Sequence, residues 1–436
     1  MNPCLTALLL LCAVGSSDAP AQTIAITPNP VLLDQSAAIR VTGLPPNAPI
    51  TLQADLNDGA DHPWQSEAQF TADAQGIVDL TAQAPSKGSY REVSAMGMVW
   101  SMRSPSKDAH IYILPGKTQQ QQVIHFHLLQ DGKPTAAADL VQKFAADDVR
   151  RVHVQGSLHG TLFLPPGDGK FPGVLVLGGS EGGAPIARAA WLASHGYAAL
   201  ALAYFHFEGL PPELLNIPLE YFGTALSWMS ERPEIDASRL AVMGASRGGE
   251  LALQLGSMYP QIRAVVAYVP ANIRYPSCCQ RPFGAPWTWR GQPLAWTSPQ
   301  NHSQPASAME AAIAVEMIHG PVLMIGAEND GVWPSADMVR AAADRLHHAH
   351  FAYPVVTLIY PHAGHRAGMP QIIPAWHNAT RHPVSGVMMD LGGTPEGNAE
   401  STLDAIPKVL NFLSQSLQNV PASPVAHADP NPPATQ

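Results

Sequence analysis

Between residues 145 and 418, short uninterrupted apolar runs alternate with stretches of helix-forming composition. The runs at 172–177, 239–243, 321–326 and 354–360 are strand-length and rich in Val, Ile and Leu, as strands covered on both faces are. The stretches at 249–258 and 335–346 suit helices. Alternation of this kind predicts a mostly parallel sheet flanked by helices. Residues 22–125 read differently. Alternating segments at 37–42, 50–54 and 77–80 are separated by Pro, Gly, Asn and Asp, which predicts a β-sandwich. Residues 119–134 begin the link between the two domains. Residues 419–436, rich in Pro and Ala, predict a disordered tail.

The run at 239–243 ends in Gly244-Ala245-Ser246-Arg247-Gly248. Gly-x-Ser-x-Gly between a strand and a helix is a nucleophile elbow, a turn that lifts a serine hydroxyl above a sheet edge. A serine needs a base to take its proton and an acid to orient that base. In chain order the next apolar runs lead into Ala327-Glu328-Asn329-Asp330 and Pro361-His362-Ala363-Gly364-His365. Both loops sit past the carboxyl ends of strands, where open α/β sheets bind ligands. The order serine, acid, histidine is that of an α/β-hydrolase domain, here 145–418. Asp330 is preferred to Glu328 as the acid because it lies deeper in the turn, and Glu328 stays open. His365 is preferred to His362 because it follows a glycine and can turn back over the sheet. The oxyanion hole needs two backbone N–H groups. One falls to Arg247, the other to Ser180 or Glu181 in the loop Gly178-Gly179-Ser180-Glu181-Gly182-Gly183 after the run at 172–177. That loop lacks both the Lys-Ser/Thr of a phosphate-binding loop and the spacing of a dinucleotide fingerprint.

Length and charge narrow the partners. A chain of 436 residues, 46% hydrophobic, has room for two cores. A formal net charge of −10 with no basic stripe argues against nucleic acid and anionic membrane surfaces. The apolar run of residues 5–14 is too short to span a bilayer. It leads into Ala19-Pro20-Ala21, so residues 1–21 read as a cleaved leader and the protein as exported and soluble, although no Lys or Arg precedes the run. Without the leader only Cys278 and Cys279 remain, either as a vicinal disulfide or as thiols. No metal-ligand spacing is present, His347, His348 and His350 read as solvated, and no cofactor is called for. Oligomeric state is not legible.

Two long irregular stretches follow the core strands, at 272–305 and 366–393, and loops of that length are often lids or binding loops. The first carries Trp287, Trp289 and Trp296, which either line an acyl pocket or anchor the loop.

A set of short motifs then carries a family resemblance. They are Val41-Thr42-Gly43-Leu44, Gly160-Thr161-Leu162-Phe163-Leu164-Pro165-Pro166, Ala203-Tyr204-Phe205, Ile217-Pro218-Leu219-Glu220-Tyr221-Phe222, Asp330-Gly331-Val332-Trp333-Pro334-Ser335 and Gly392-Gly393-Thr394-Pro395. Through them the chain resembles the acyl-CoA thioesterase and bile acid-CoA:amino acid N-acyltransferase family from about residue 25 to 417. The resemblance implies a β-sandwich before an α/β-hydrolase domain, a triad on Ser246, Asp330 and His365, and an acyl thioester or related ester as substrate. The acyltransferase branch is known for a cysteine nucleophile, so serine implies water as the acyl acceptor.

Overall fold

The apolar runs pair into one eight-stranded sheet. Its strands are β1 (Arg150–His153), β2 (His159–Leu164), β3 (Phe171–Leu177), β4 (Ala198–Ala203), β5 (Ile235–Ala245), β6 (Ile262–Tyr268), β7 (Val322–Ala327) and β8 (Val355–Tyr360). They lie in the order β1-β2-β4-β3-β5-β6-β7-β8. Only β2 runs opposite to the other strands of the sheet. Five helices accompany the strands: α1 (Ile186–Ser194), α2 (Glu220–Ser230), α3 (Arg247–Met258), α4 (Ser335–His348) and α5 (Pro395–Ser416). The pleat divides β3 between two cores. Leu175 and Leu177 pack with α2, α3 and α4 on one face, while Val174 and Val176 pack with α1 and α5 on the other. All four are fully buried, each contributing about 1.5–3 kcal/mol.

This computed structural model describes residues 21–115, 120–279, 281–297, 309–376 and 379–418. Apart from residue 21, the expected leader lies outside the described residues, and so does the expected tail.

The first domain is built from two sheets. The larger has six strands, ordered Val31–Leu32, Lys133–Lys143, Gln121–Gln130, Pro49–Asn57, Pro63–Thr71 and Lys87–Gly88. The smaller pairs Thr23–Thr27, Ala38–Thr42 and Val78–Asp79. Ile50, Leu52, Ala54 and Leu56 point inward while the residues between them face outward, the alternation of a half-buried strand. One boundary moves. The expected end at 125 cuts the strand Gln121–Gln130, and residues first read as a link form the hairpin partner Lys133–Lys143. Asp131 and Gly132 both take positive φ, as a tight hairpin turn with matching twist requires. Polar residues on the outer face, His125 and His127 among them, break up the apolar signal of these strands.

The excursion at 366–393 fastens the domains together. Ile372 and Ile373 enter the core of the first domain, Ile372 N–H donates to the Leu33 carbonyl, and His195 on the α1 flank pairs with Asp34. Farther on, Ala379–Arg381 and Met388–Asp390 form a hairpin. Among the described residues no helix is long and apolar enough to cross a membrane.

Candidate active site

The elbow forms because β5 and α3 meet at a single residue. Ser246 has φ 57° and ψ −122°, a conformation that costs a non-glycine residue about 1–3 kcal/mol. Its flanking glycines are dictated by contact: a Cβ on Gly244 would strike the Gly248 carbonyl, and one on Gly248 would strike the Gly178 carbonyl. The strain presents the hydroxyl above the sheet edge. There Ser246 Oγ is 2.8 Å from His365 Nε2. His365 Nδ1 is 2.9 Å from both oxygens of Asp330. The Asp330 side chain is fully buried, and its Oδ1 also accepts from the N–H groups of Val332 (2.9 Å) and Trp333 (3.2 Å). Those donors hold the side chain with its oxygens aimed at Nδ1, which places the ring proton on that nitrogen and leaves Nε2 as the acceptor.

The structure distinguishes the alternatives within each loop. Glu328 is partly exposed and paired with Arg340, which holds its carboxyl below the ordinary range. It does not touch His365. His362 is exposed, and its carbonyl accepts from Thr394 N–H. Trp333 meets His365 edge to face at 5.1 Å, stacks on Tyr275 and donates its indole N–H to the Val269 carbonyl. It fixes the imidazole plane, a role its place in the Asp330 motif did not reveal.

Arg247 opens α3, so its backbone N–H is among the donors that a helix cannot satisfy internally. Its side chain is locked from below. Nη1 lies 2.9 Å from Glu250 Oε2 and Nη2 donates to the Tyr275 carbonyl. Glu250 is itself wholly buried and also accepts from Trp287 Nε1 (2.9 Å) and Tyr275 N–H (3.3 Å). Burial pushes the Glu250 carboxyl upward while Arg247 and these donors oppose the shift. On the opposite side of the serine, Gly179 lies so close that a Cβ there would be 3.2 Å from Ser246 Cβ. The backbone of Ser180 and Glu181 therefore runs beside the nucleophile. Gly178 is tied by Tyr204 Oη, and Gly179 N–H donates to Glu181 Oε1 at 3.0 Å.

Ser180 has a second partner that spacing could not show. His382, on the 366–393 excursion, lies 2.9 Å from Ser180 Oγ through Nε2. Its Nδ1 accepts from the N–H groups of Val384 and Ser385, and burial lowers its pKa. A neutral ring accepting at Nδ1 carries its proton on Nε2, so His382 donates to Ser180. Cys279 Sγ is 3.8 Å from the same ring, and Cys278 and Cys279 are joined as a vicinal disulfide. The fold thus gathers three potential metal ligands that sequence spacing did not show. Paired sulfurs are not thiolates, the form that ligates a metal.

Ser246 and His365 open into a cavity of about 1150 Å³. Its wall is contributed by both domains, with Leu33, Ile111, Leu114 and Phe144 from the first and Phe163, Phe207 and Met389 from the second. None of the three tryptophans from the 272–305 stretch lines it. Trp287 is fully buried against Tyr204 and Phe222, Trp289 packs on Tyr259, and Trp296 lies off the cavity. As candidate substrate-binding residues all three are corrected, and Trp287 and Trp289 are anchors of their loop. The reason is the buried Glu250 carboxylate, which draws the Trp287 indole N–H inward.

Comparison with known proteins agrees with this architecture. Residues 34–156 match the acyl-CoA thioester hydrolase/BAAT N-terminal region and residues 217–419 the BAAT/acyl-CoA thioester hydrolase C terminal. Acyl-coenzyme A thioesterase 6 of Mus musculus is 32% identical over 88% of this chain and 94% of its own. Acyl-coenzyme A amino acid N-acyltransferase 1 of Mus musculus is 31% identical over 90% of this chain and 97% of its own. Among solved structures, a putative dienelactone hydrolase from Klebsiella pneumoniae matches 61% of this chain and 98% of its own, at 19% identity and a TM-score of 0.39.

Proposed function

The chain belongs to the acyl-CoA thioester hydrolase/BAAT family, and from that membership we propose that it cleaves acyl thioesters through an acyl-enzyme on Ser246. The observation that carries this reading is the hydrogen-bonded line Ser246–His365–Asp330 at the mouth of a large cavity. Ser246 Oγ attacks the thioester carbonyl carbon as His365 Nε2 takes its proton. The oxyanion is held by the backbone N–H of Arg247 and that of Ser180 or Glu181. Removing one such donor costs about 3–4 kcal/mol of barrier. Collapse expels the thiol, which takes the proton back from the imidazolium. Water then attacks the acyl-enzyme with His365 again as base, and the acid leaves.

With a serine nucleophile, water is the acceptor in this proposal. Incubation with an acyl-CoA and excess glycine or taurine is therefore expected to yield the free acid and CoA. Product analysis checks it, and an N-acyl amino acid as the main product would instead place the chain with its acyltransferase relatives. In a parallel panel matched in acyl length, acyl-CoAs are expected to turn over faster than plain esters. The export reading joins the proposal, supported by the Ala19-Pro20-Ala21 pattern after a short apolar run. Protein recovered from its own cells should then begin near Gln22 by intact mass, and a retained leader would return the enzyme to the cytosol.

A further inference from the structure

The cavity wall beside the base carries more positive charge than the protein neutralises. Arg366 follows His365 directly and lines the cavity, and its Nε is buried without a partner. Among the described residues no hydrogen bond or ion pair takes up any nitrogen of its guanidinium. Arg188, on α1, lines the same wall and is 7% exposed. Its Nη2 donates to the Leu177 carbonyl at 2.9 Å, and its Nη1 reaches only the Met369 sulfur at 4.0 Å. Glu181 is a carboxylate whose charge acts on both, but it is turned toward Gly179 N–H and forms no ion pair with either arginine. His382, on the hairpin side of the cavity, is neutral by the tautomer argument above. Two sheltered guanidinium groups face one carboxylate, and holding such a charge out of water without a hydrogen-bonded counter-charge is unfavourable.

We propose that Arg366, backed by Arg188, binds a carboxylate at the far end of the acyl group, so that the preferred substrates are thioesters of dicarboxylic acids. This rests on the thioesterase reading and names the acyl class within it. A guanidinium offers a planar fork of donors that fits a carboxylate in two places at once. A phosphate of the CoA moiety shares that chemistry. It lies a full pantetheine arm from the sulfur, however, whereas Arg366 is one peptide unit from the base that serves the reacting carbonyl. The rest of the wall is largely apolar and accommodates the methylenes between the two ends.

Binding and turnover test the proposal separately. By calorimetry, Ser246→Ala protein is expected to bind monomethyl adipate at least about tenfold more tightly than methyl hexanoate, and adding Arg366→Gln should remove the difference. Arg366→Lys keeps the charge and should keep part of it, which guards against a folding defect. In turnover, adipoyl and hexanoyl groups are compared on CoA and on N-acetylcysteamine, a carrier without phosphate. The adipoyl preference in kcat/KM is expected on both carriers and should fall about tenfold in Arg366→Gln. Equal binding of the two esters overturns the proposal. So does a variant that weakens both CoA thioesters alike and neither N-acetylcysteamine thioester, since the arginine would then read phosphate. Should no thioester be cleaved at all, the thioesterase reading fails, while the adipate comparison still decides whether the carboxylate site exists.

Discussion

Ser246→Ala is expected to lower acyl release by about 10⁶-fold, some 8 kcal/mol of barrier. The hydroxyl is the atom that forms the covalent intermediate, and among the described residues no second hydroxyl or thiol is placed at His365 Nε2, whose hydrogen-bonded partner is Ser246 Oγ at 2.8 Å. The fold should survive the change. Alanine accepts the positive φ no better than serine, but β5, α3 and both flanking glycines remain as they are. An active-site serine probe such as a fluorophosphonate provides the check. Equal labelling of the wild-type and variant proteins would move the nucleophile elsewhere.

Asp330→Asn is expected to lower kcat by about 10⁴-fold with a small change in KM. The substitution is nearly isosteric, and one side-chain oxygen can still accept from Val332 and Trp333. That leaves the amide NH₂ facing His365 Nδ1, where the carboxylate had accepted. The imidazole then favours the tautomer with its proton on Nε2, and a protonated Nε2 cannot take the proton of Ser246. The stabilisation of the imidazolium by a buried anion goes with it. Steady-state kinetics on one acyl-CoA, with Glu328→Gln as the comparison, measures both effects. A loss below tenfold for Asp330→Asn, joined to a large loss for Glu328→Gln, would transfer the orienting role to the acid that the structure pairs with Arg340.

The two domains differed in how far they could be read. In the hydrolase domain each core strand is a continuous apolar run, because helices cover both faces of the sheet. Turn residues at the strand ends then marked the elbow, the Asp330 loop and the His365 loop. In the first domain each strand is apolar on one side only, so a stretch like Gln121–Gln130 carries half the signal and its hairpin passed for a link. Trp287 shows a different limit. A tryptophan in a long loop after the elbow reads equally well as pocket or anchor, and only the position of Glu250 decides between them. Arg188, Arg366 and His382 were silent for a related reason. Arg366 and His382 lie far along the chain from Ser180 and Glu181 with no spacing to relate them, and Arg188, a few residues past that loop, carries no motif that marks it.

By itself the sequence determined the order of strands and helices, the strained turn that carries Ser246, and the acid and histidine that follow in the right order. These are local properties, set by apolar periodicity and by glycines whose neighbours leave no room for a side chain. Tertiary structure alone decided which of two acids meets the histidine, where the tryptophans go, and what lines the cavity. Those outcomes depend on burial. A carboxylate, an indole N–H or a guanidinium removed from water must find a partner in whatever the fold brings near. At Asp330 and Glu250 the protein supplies that partner, and at Arg366 it leaves the place to the substrate.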